Sequence, residues 1–273
     1  MRLARAALGL SALGVLGVLL GRARAARQLR HDVERLFAQA TDVSGSVYDE
    51  AQLAGLPAPV QRYFRHVLRP GQPYLRGLRL RHTGRFKTDL EQDWVAIAGE
   101  EYLVAEPPGF IWQGSTRRFT ARDEYVAGRG RLTVRLLGAV PLLRGQGPPF
   151  DQGELLRWLG ECCWLPTRLL PSERLRWTAL DDEWAQLTLT DRDQTVSYRV
   201  RFNAQNELEE CETMRYQSAT ALRRWVGRLG GYREVHGVRV PTELEGSWVL
   251  NGQRRPYARF RVQALDYEPL RPY

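Results

Sequence analysis

The residues best suited to chemistry stand close together, in the stretch GELLRWLGECCWLPTRLLP, Gly153–Pro171. It holds two adjacent cysteines, Cys162 and Cys163, and two acids, Glu154 and Glu161, with Asp151 just ahead of it. Neighbouring residues on a helix diverge by about 100°, so the two thiols cannot grip one metal together. Zinc sites space their cysteines two to four residues apart and draw further ligands from elsewhere, and only Cys211 remains. The pair therefore reads first as buried apolar core. A bridge from Cys211 to one of them stays open if the body is exported, and so does a nucleophilic thiol. The three acids could do acid–base work at a pocket mouth. Equally, Asp151 could cap the helix, with Glu154 three residues on completing a capping box.

Nothing else in the chain is a catalytic motif. The four histidines, His31, His66, His82 and His236, are scattered. His82 falls on the apolar side of a strand pattern and His236 in a turn, so both read as structural. There is no nucleophile elbow, no zinc-protease helix and no phosphate loop. Gly128-Arg129-Gly130 lacks the third glycine and the strand-to-helix setting of a dinucleotide site. No catalytic residue, metal or cofactor is assigned.

The elements that must position these residues follow from periodicity. Leu155, Leu156, Trp158, Leu159, Cys162, Cys163 and Leu165 form a wide apolar arc at helical spacing, stopped by Pro166. A helix so apolar is expected to be buried on most sides, across the concave face of a sheet. Two helices precede it: one over 27–40 with Leu29, Val33, Leu36 and Phe37 on one stripe, and one over 57–68 with Val60, Tyr63, Phe64, Val67 and Leu68. From Leu75 the period drops to two. Val196, Tyr198, Val200 and Phe202 alternate with Ser197, Arg199 and Arg201, and similar runs end in turn signals such as Asn251-Gly252. Helices between successive strands are missing, which excludes a parallel α/β design. The expectation is a mainly β (α+β) protein: a curled antiparallel sheet or open half-barrel of about ten strands, with helices on its concave face.

Three regions are expected: residues 1–26 as a membrane anchor or signal segment, 27–70 as a helical lead-in, and 71–273 as a single β-rich domain. Ala6–Gly21 has no charge and is preceded by Arg2 and Arg5. At sixteen residues it lies between a signal-peptide core and a full span of about 20. The arginines that follow disfavour cleavage, so an uncleaved single N-terminal anchor in the cell membrane is preferred, with the body extracytoplasmic, although arginine counting alone points inward. The net charge of +9 does not imply nucleic acid. Lys87 is the only lysine, five arginines fall in the first 27 residues, and the rest alternate along strands without a clustered stripe.

The positive signal is aromatic: eight Trp, eleven Tyr and eight Phe. A half-barrel with one helix across its mouth encloses room for a lipid or acyl chain. The pocket is expected among Leu155, Trp158, Leu159, Cys162, Trp164, Tyr198, Val200, Trp112 and Trp248. This reads as a non-enzymatic, membrane-tethered binding protein for a lipid, acyl chain or lipoprotein anchor. Two other readings stay open: an enzyme with acids at the pocket mouth, and an interaction module whose arginine-rich strand faces meet an anionic partner.

Two sets of residues carry a resemblance. GGYREVHGVRVPTELEGSW, Gly230–Trp248, resembles the strand–turn–strand of the LolA/LolB-like lipoprotein-carrier superfamily. LPAPVQRYFRHVL (Leu56–Leu68), PPGFIW (Pro107–Trp112) and the Gly153–Pro171 stretch together resemble a bacterial family of membrane-anchored proteins of unknown function. The likeness covers most of Leu56–Asp266 and implies a sheet curled around helices, with an apolar concave face and no catalytic residues. No lipobox cysteine follows the apolar segment, so any anchor is expected to be the helix itself.

Overall fold

Alternating apolar and polar residues build two antiparallel meanders, with the long apolar helix between them in the chain. The computed structural model describes residues 2–43 and 45–273. Helices α1 (Arg2–Ala38) and α2 (Ala58–Val67) come first. The first meander is β1 (Gly77–Phe86), β2 (Val95–Val104), β3 (Gly109–Ser115), β4 (Phe119–Val126), β5 (Arg129–Leu136) and β6 (Val140–Gln146). Then come α3 (Pro148–Glu161) and two 3-10 turns, Cys162–Trp164 and Pro166–Leu169. The second run is β7 (Leu175–Ala179), β8 (Trp184–Asp191), β9 (Gln194–Phe202), β10 (Leu208–Tyr216), β11 (Leu222–Gly230), β12 (Arg233–Val235), β13 (Val238–Val240), β14 (Glu243–Leu250) and β15 (Gln253–Asp266).

Thirteen strands form one antiparallel sheet in the order β6-β5-β4-β3-β2-β1-β15-β14-β11-β10-β9-β8-β7, and β12 and β13 make a separate hairpin. This exceeds the expected ten. The edge strand β6 is exposed along nearly its whole length and lacks an inward face, and β12 and β13 have three residues each, so none of these carries a readable period.

The sheet curls so far that α3 touches both wings, packing on β4, β5 and β6 and also on β9 and β10. Near the closure, the Tyr125 hydroxyl of β4 donates to Asp191 Oδ2 of β8 at 2.7 Å. The concave face holds the main core. α2 enters it with Val60, Tyr63, Phe64 and Val67, its Tyr63 ring 5.5 Å from Phe202 and Phe64 edge-on to Trp177.

On the convex face a second cluster joins Leu29, Val33, Leu36 and Phe37 of α1 to Tyr102, Val104 and Ile111. Strands β2 and β3 are thus covered on both sides, which is why YLVA and FIW are continuously apolar. The helix expected from Arg27 is the last part of the longer α1. The side chains of the first fifteen residues lie outside the described set, and with them most of the Ala6–Gly21 segment. Among the described residues, no helix is long and apolar enough to cross a membrane.

Candidate functional site

Glu154, Arg157 and Glu161 stand at i, i+3 and i+7, so α3 carries a charged stripe on one side. The stripe does not face water. Opposite it, the inward positions of the first meander include Glu101 on β2, Trp112 on β3 and Asp123 on β4. The ladder sets these three side by side, Glu101 opposite Trp112 and Trp112 opposite Asp123. Arg157 reaches into this row. Its guanidinium contacts Asp123 Oδ2 at 2.6 Å, Glu161 Oε1 at 2.8 Å and Glu101 Oε2 at 3.8 Å, and lies over the Trp112 ring at 4.7 Å. Arg215 of β10 closes the far side, 3.8 Å from Glu154 Oε1.

Beside the row, the Trp112 indole N–H donates to His82 Nε2 at 2.7 Å. Room for the pair is made by glycines. A Cβ at Gly99 would stand 2.5 Å from His82 Nε2, and one at Gly114 would stand 2.4 Å from the Trp112 ring. Burial, with the Arg157 charge, pushes the His82 pKa down to about 4, so the ring is neutral.

Four carboxyls and two guanidinia would leave an uncompensated negative charge if all were ionised. Burial resolves this by neutralisation. It raises the Glu154 pKa to about 8, with the Asp123 charge adding to the effect. It also raises Glu101 well above the carboxylate range, with Glu161 reinforcing the shift. Once protonated, Glu101 hydrogen-bonds to Glu161, whereas Glu154 Oε2 has no hydrogen-bond partner among the described residues. No set of three or more His, Cys, Asp or Glu among the described residues is arranged to hold a metal ion.

With this geometry the sequence comparison is informative. Residues 46–260 match the family described as "Family of unknown function (DUF6544)". The chain belongs to DUF6544. Among solved structures, this DUF6544 member is similar to a LolA superfamily protein of Nitrosomonas europaea, at 14% identity and a TM-score of 0.37, covering 78% of this chain and 94% of that one. It is also similar to an outer membrane lipoprotein-sorting protein domain of Vibrio parahaemolyticus, at 10% identity and a TM-score of 0.41, covering 77% and 91%. None of the curated proteins matches the sequence.

Of the expected pocket residues, eight share the concave core: Leu155, Trp158, Leu159, Cys162, Trp164, Tyr198, Val200 and Trp112. Trp248 stands apart from them, stacked on Tyr257 at 5.9 Å. The core residues are packed against one another, and their polar ends are tied to backbone. Trp158 donates to Val104 O at 2.9 Å, Trp164 to Pro241 O at 2.9 Å and Tyr198 to Leu156 O at 3.1 Å.

The capping box expected of Asp151 and Glu154 does not form. The helix starts four residues earlier, at Pro148 after Gly147, because the proline's fixed φ suits a first helical position. Asp151 is instead held by the Gly130 N–H at 2.7 Å and by Arg129. The three cysteines are free and buried, and burial pushes their thiols above the usual range, which makes them poor nucleophiles. Periodicity did not single out Glu101, Asp123, Arg157 or Arg215. The available signal was a charge at an inward strand position, Glu101 in step with Ile97 and Leu103, and Asp123 in step with Ala121 and Tyr125.

Proposed function

We propose that the chain is a non-enzymatic binding protein held at a membrane, taking a lipid, acyl chain or lipoprotein anchor between α3 and the concave face of the sheet. One observation supports it above the rest: α3 lies across the mouth of the curled sheet over the charged inward positions Glu101 and Asp123, and its own Glu154 Oε2 has no hydrogen-bond partner among the described residues. More than nine in ten buried polar groups find partners in folded proteins, and each one left without costs roughly 1–3 kcal/mol. A helix seated on such a floor is easier to displace than one seated on apolar side chains alone. Its other side, with Leu155, Trp158, Leu159 and Cys162, would uncover an apolar floor beside a charged rim, which suits an amphiphile. Native mass spectrometry of protein purified without detergent should show co-purifying lipid. A clean apo mass that stays unchanged on adding fatty acid would end this reading.

One observation favours the enzyme reading. Glu154 and Glu161 converge with Glu101 and Asp123, and a carboxyl with its pKa raised to about 8 suits a general acid near neutrality. The same spectra distinguish the two. Retained lipid of unchanged mass supports binding, whereas a product mass abolished by Glu154→Gln supports catalysis. The arginine-rich strand faces offer less to an anionic partner. Glu212 holds Arg199 and Arg224, and Glu210 holds Arg228 and Arg254, so much of that charge is matched across the ladder.

A further inference from the structure

Among the described residues, eight of the twelve exposed large apolar side chains fall in two segments. Leu16, Leu19 and Leu20 belong to α1; Leu136, Leu137, Val140, Leu142 and Leu143 belong to the β5–β6 hairpin. More than a hundred residues separate these segments in the chain, and the fold joins them. Gly21 sits so close to the hairpin turn that a Cβ on it would stand 2.8 Å from Ala139 Cβ, and the Arg22 stem lies along Gly138. Soluble proteins seldom gather their exposed apolar side chains in this way unless the patch binds something.

The charge around the patch has one sign. Neither residues 1–31 nor residues 125–150 contain an Asp or Glu. Arg22, Arg24, Arg117, Arg118, Arg135 and Arg144 flank the leucines and make no ion pair among the described residues. Deeper in the same groove Arg122 pairs with Asp32 and Arg131 with Glu124. A cavity of about 340 Å³ opens there, between α1 and strands β4–β6, lined by Arg135 and Arg144 among others. Arg135 Nε is buried in it with no hydrogen-bond partner among the described residues.

Two occupants could cover exposed leucines beside an open edge strand: a bilayer, or a second copy of the chain. A second copy paired along β6 would bring unpaired arginines face to face. Lipid phosphates complement them instead. Moreover, α1 reaches the patch at Leu16, and the ten residues before it carry no charge.

We propose that this face docks on a bilayer containing anionic lipids. Leu142, Leu143 and their neighbours enter the boundary between headgroups and acyl chains, and Arg135 and Arg144 take lipid phosphates. The proposal rests on the membrane-held part of the function proposed above and is independent of what α3 covers.

The test uses the full chain with Leu142→Cys, labelled with a polarity-sensitive fluorophore; the native thiols are buried and do not compete. A second site, Gln205→Cys in the β9–β10 turn, is the reference. Vesicles are phosphatidylcholine with or without phosphatidylglycerol. The expected result is a blue shift at position 142 with phosphatidylglycerol, reduced by salt, and none at position 205. Leu137→Glu with Leu143→Glu should lower partitioning by at least about ten-fold, since burial of one leucine is worth roughly that factor. Flotation with vesicles but no shift at position 142 would overturn this docking face and leave the tether reading standing. No flotation at all would overturn both. A concentration-dependent shift without vesicles would identify a second copy as the occupant and overturn the proposal.

Discussion

Arg157 meets three carboxyl groups and an indole face at once, all inside the sheet. Removing one partner of a buried charge cluster costs about 3–5 kcal/mol, because the charges left behind are uncompensated. Arg157→Met should therefore destabilise by that order in denaturant melts, and Arg157→Lys should recover only part of the loss, since an ammonium cannot fork between Asp123 and Glu161. Stability should also depend on pH through Glu154. Its folded pKa is raised to about 8, so the folded protein binds more protons than the unfolded chain between the ordinary carboxylate range and that value. The contribution is complete in acid and is lost as pH rises toward 8, and Glu101 acts in the same direction. Melts of Glu154→Gln across this window should be flatter than those of the parent; an unchanged slope would place the titration elsewhere. At this scale the sequence was only partly readable. Cys162 and Cys163 are the apolar core that their adjacency and neighbours suggested. His82 was expected to be structural and does accept from Trp112, a partner two strands away that no pattern reveals. Asp151 and Glu154 fitted a capping box by spacing alone, and spacing does not locate the first turn.

Among the elements, α3 carries the most weight. Trp158 is fully buried and bonded to Val104 O. Trp158→Ala should cost about 3–5 kcal/mol, read as a large drop in melting temperature. If added lipid restores much of that loss, the helix is also a cover for a ligand. If neither stability nor lipid retention moves, α3 is peripheral. Leu36→Ala on α1 addresses the other face and should cost about 2–5 kcal/mol, because Leu36 packs on the bare backbone at Gly109. The helical arc of α3 and the strict alternation of β9 were legible because each buries one residue type per face. The burial of the charged stripe of α3 was not legible in the same way: periodicity tells sides apart but not which side meets water. Glu101 and Asp123 were hidden because one acid among apolar inward positions leaves the period almost unchanged.

For the whole molecule, the decisive fact is that one strip of sheet bends round until its wings share a helix. Tyr125 and Asp191 bond near the closure without a ladder between their strands. Tyr125→Phe removes the donor and leaves a buried carboxylate whose remaining cation, Arg174, stands 4.0 Å away. A loss of about 1–3 kcal/mol is expected in chemical denaturation; no loss would mean that this hydrogen bond does not hold the closure. Curled, antiparallel and helix-filled could be read from the sequence, because turn signals and missing crossover helices forbid the alternatives. The strand order could not, since nothing local says that β1 pairs with β15. That pairing has a consequence in time. Within the ladder of the described residues, β15 alone joins the six strands β1–β6 to the six that run from β14 to β7, and it follows all of them in sequence. During synthesis both halves must therefore wait, each with a bare edge, until β15 leaves the ribosome. Until β15 pairs, the two inner edges are open to other chains, and a variant lacking Gln253–Asp266 should aggregate rather than fold as a shortened sheet.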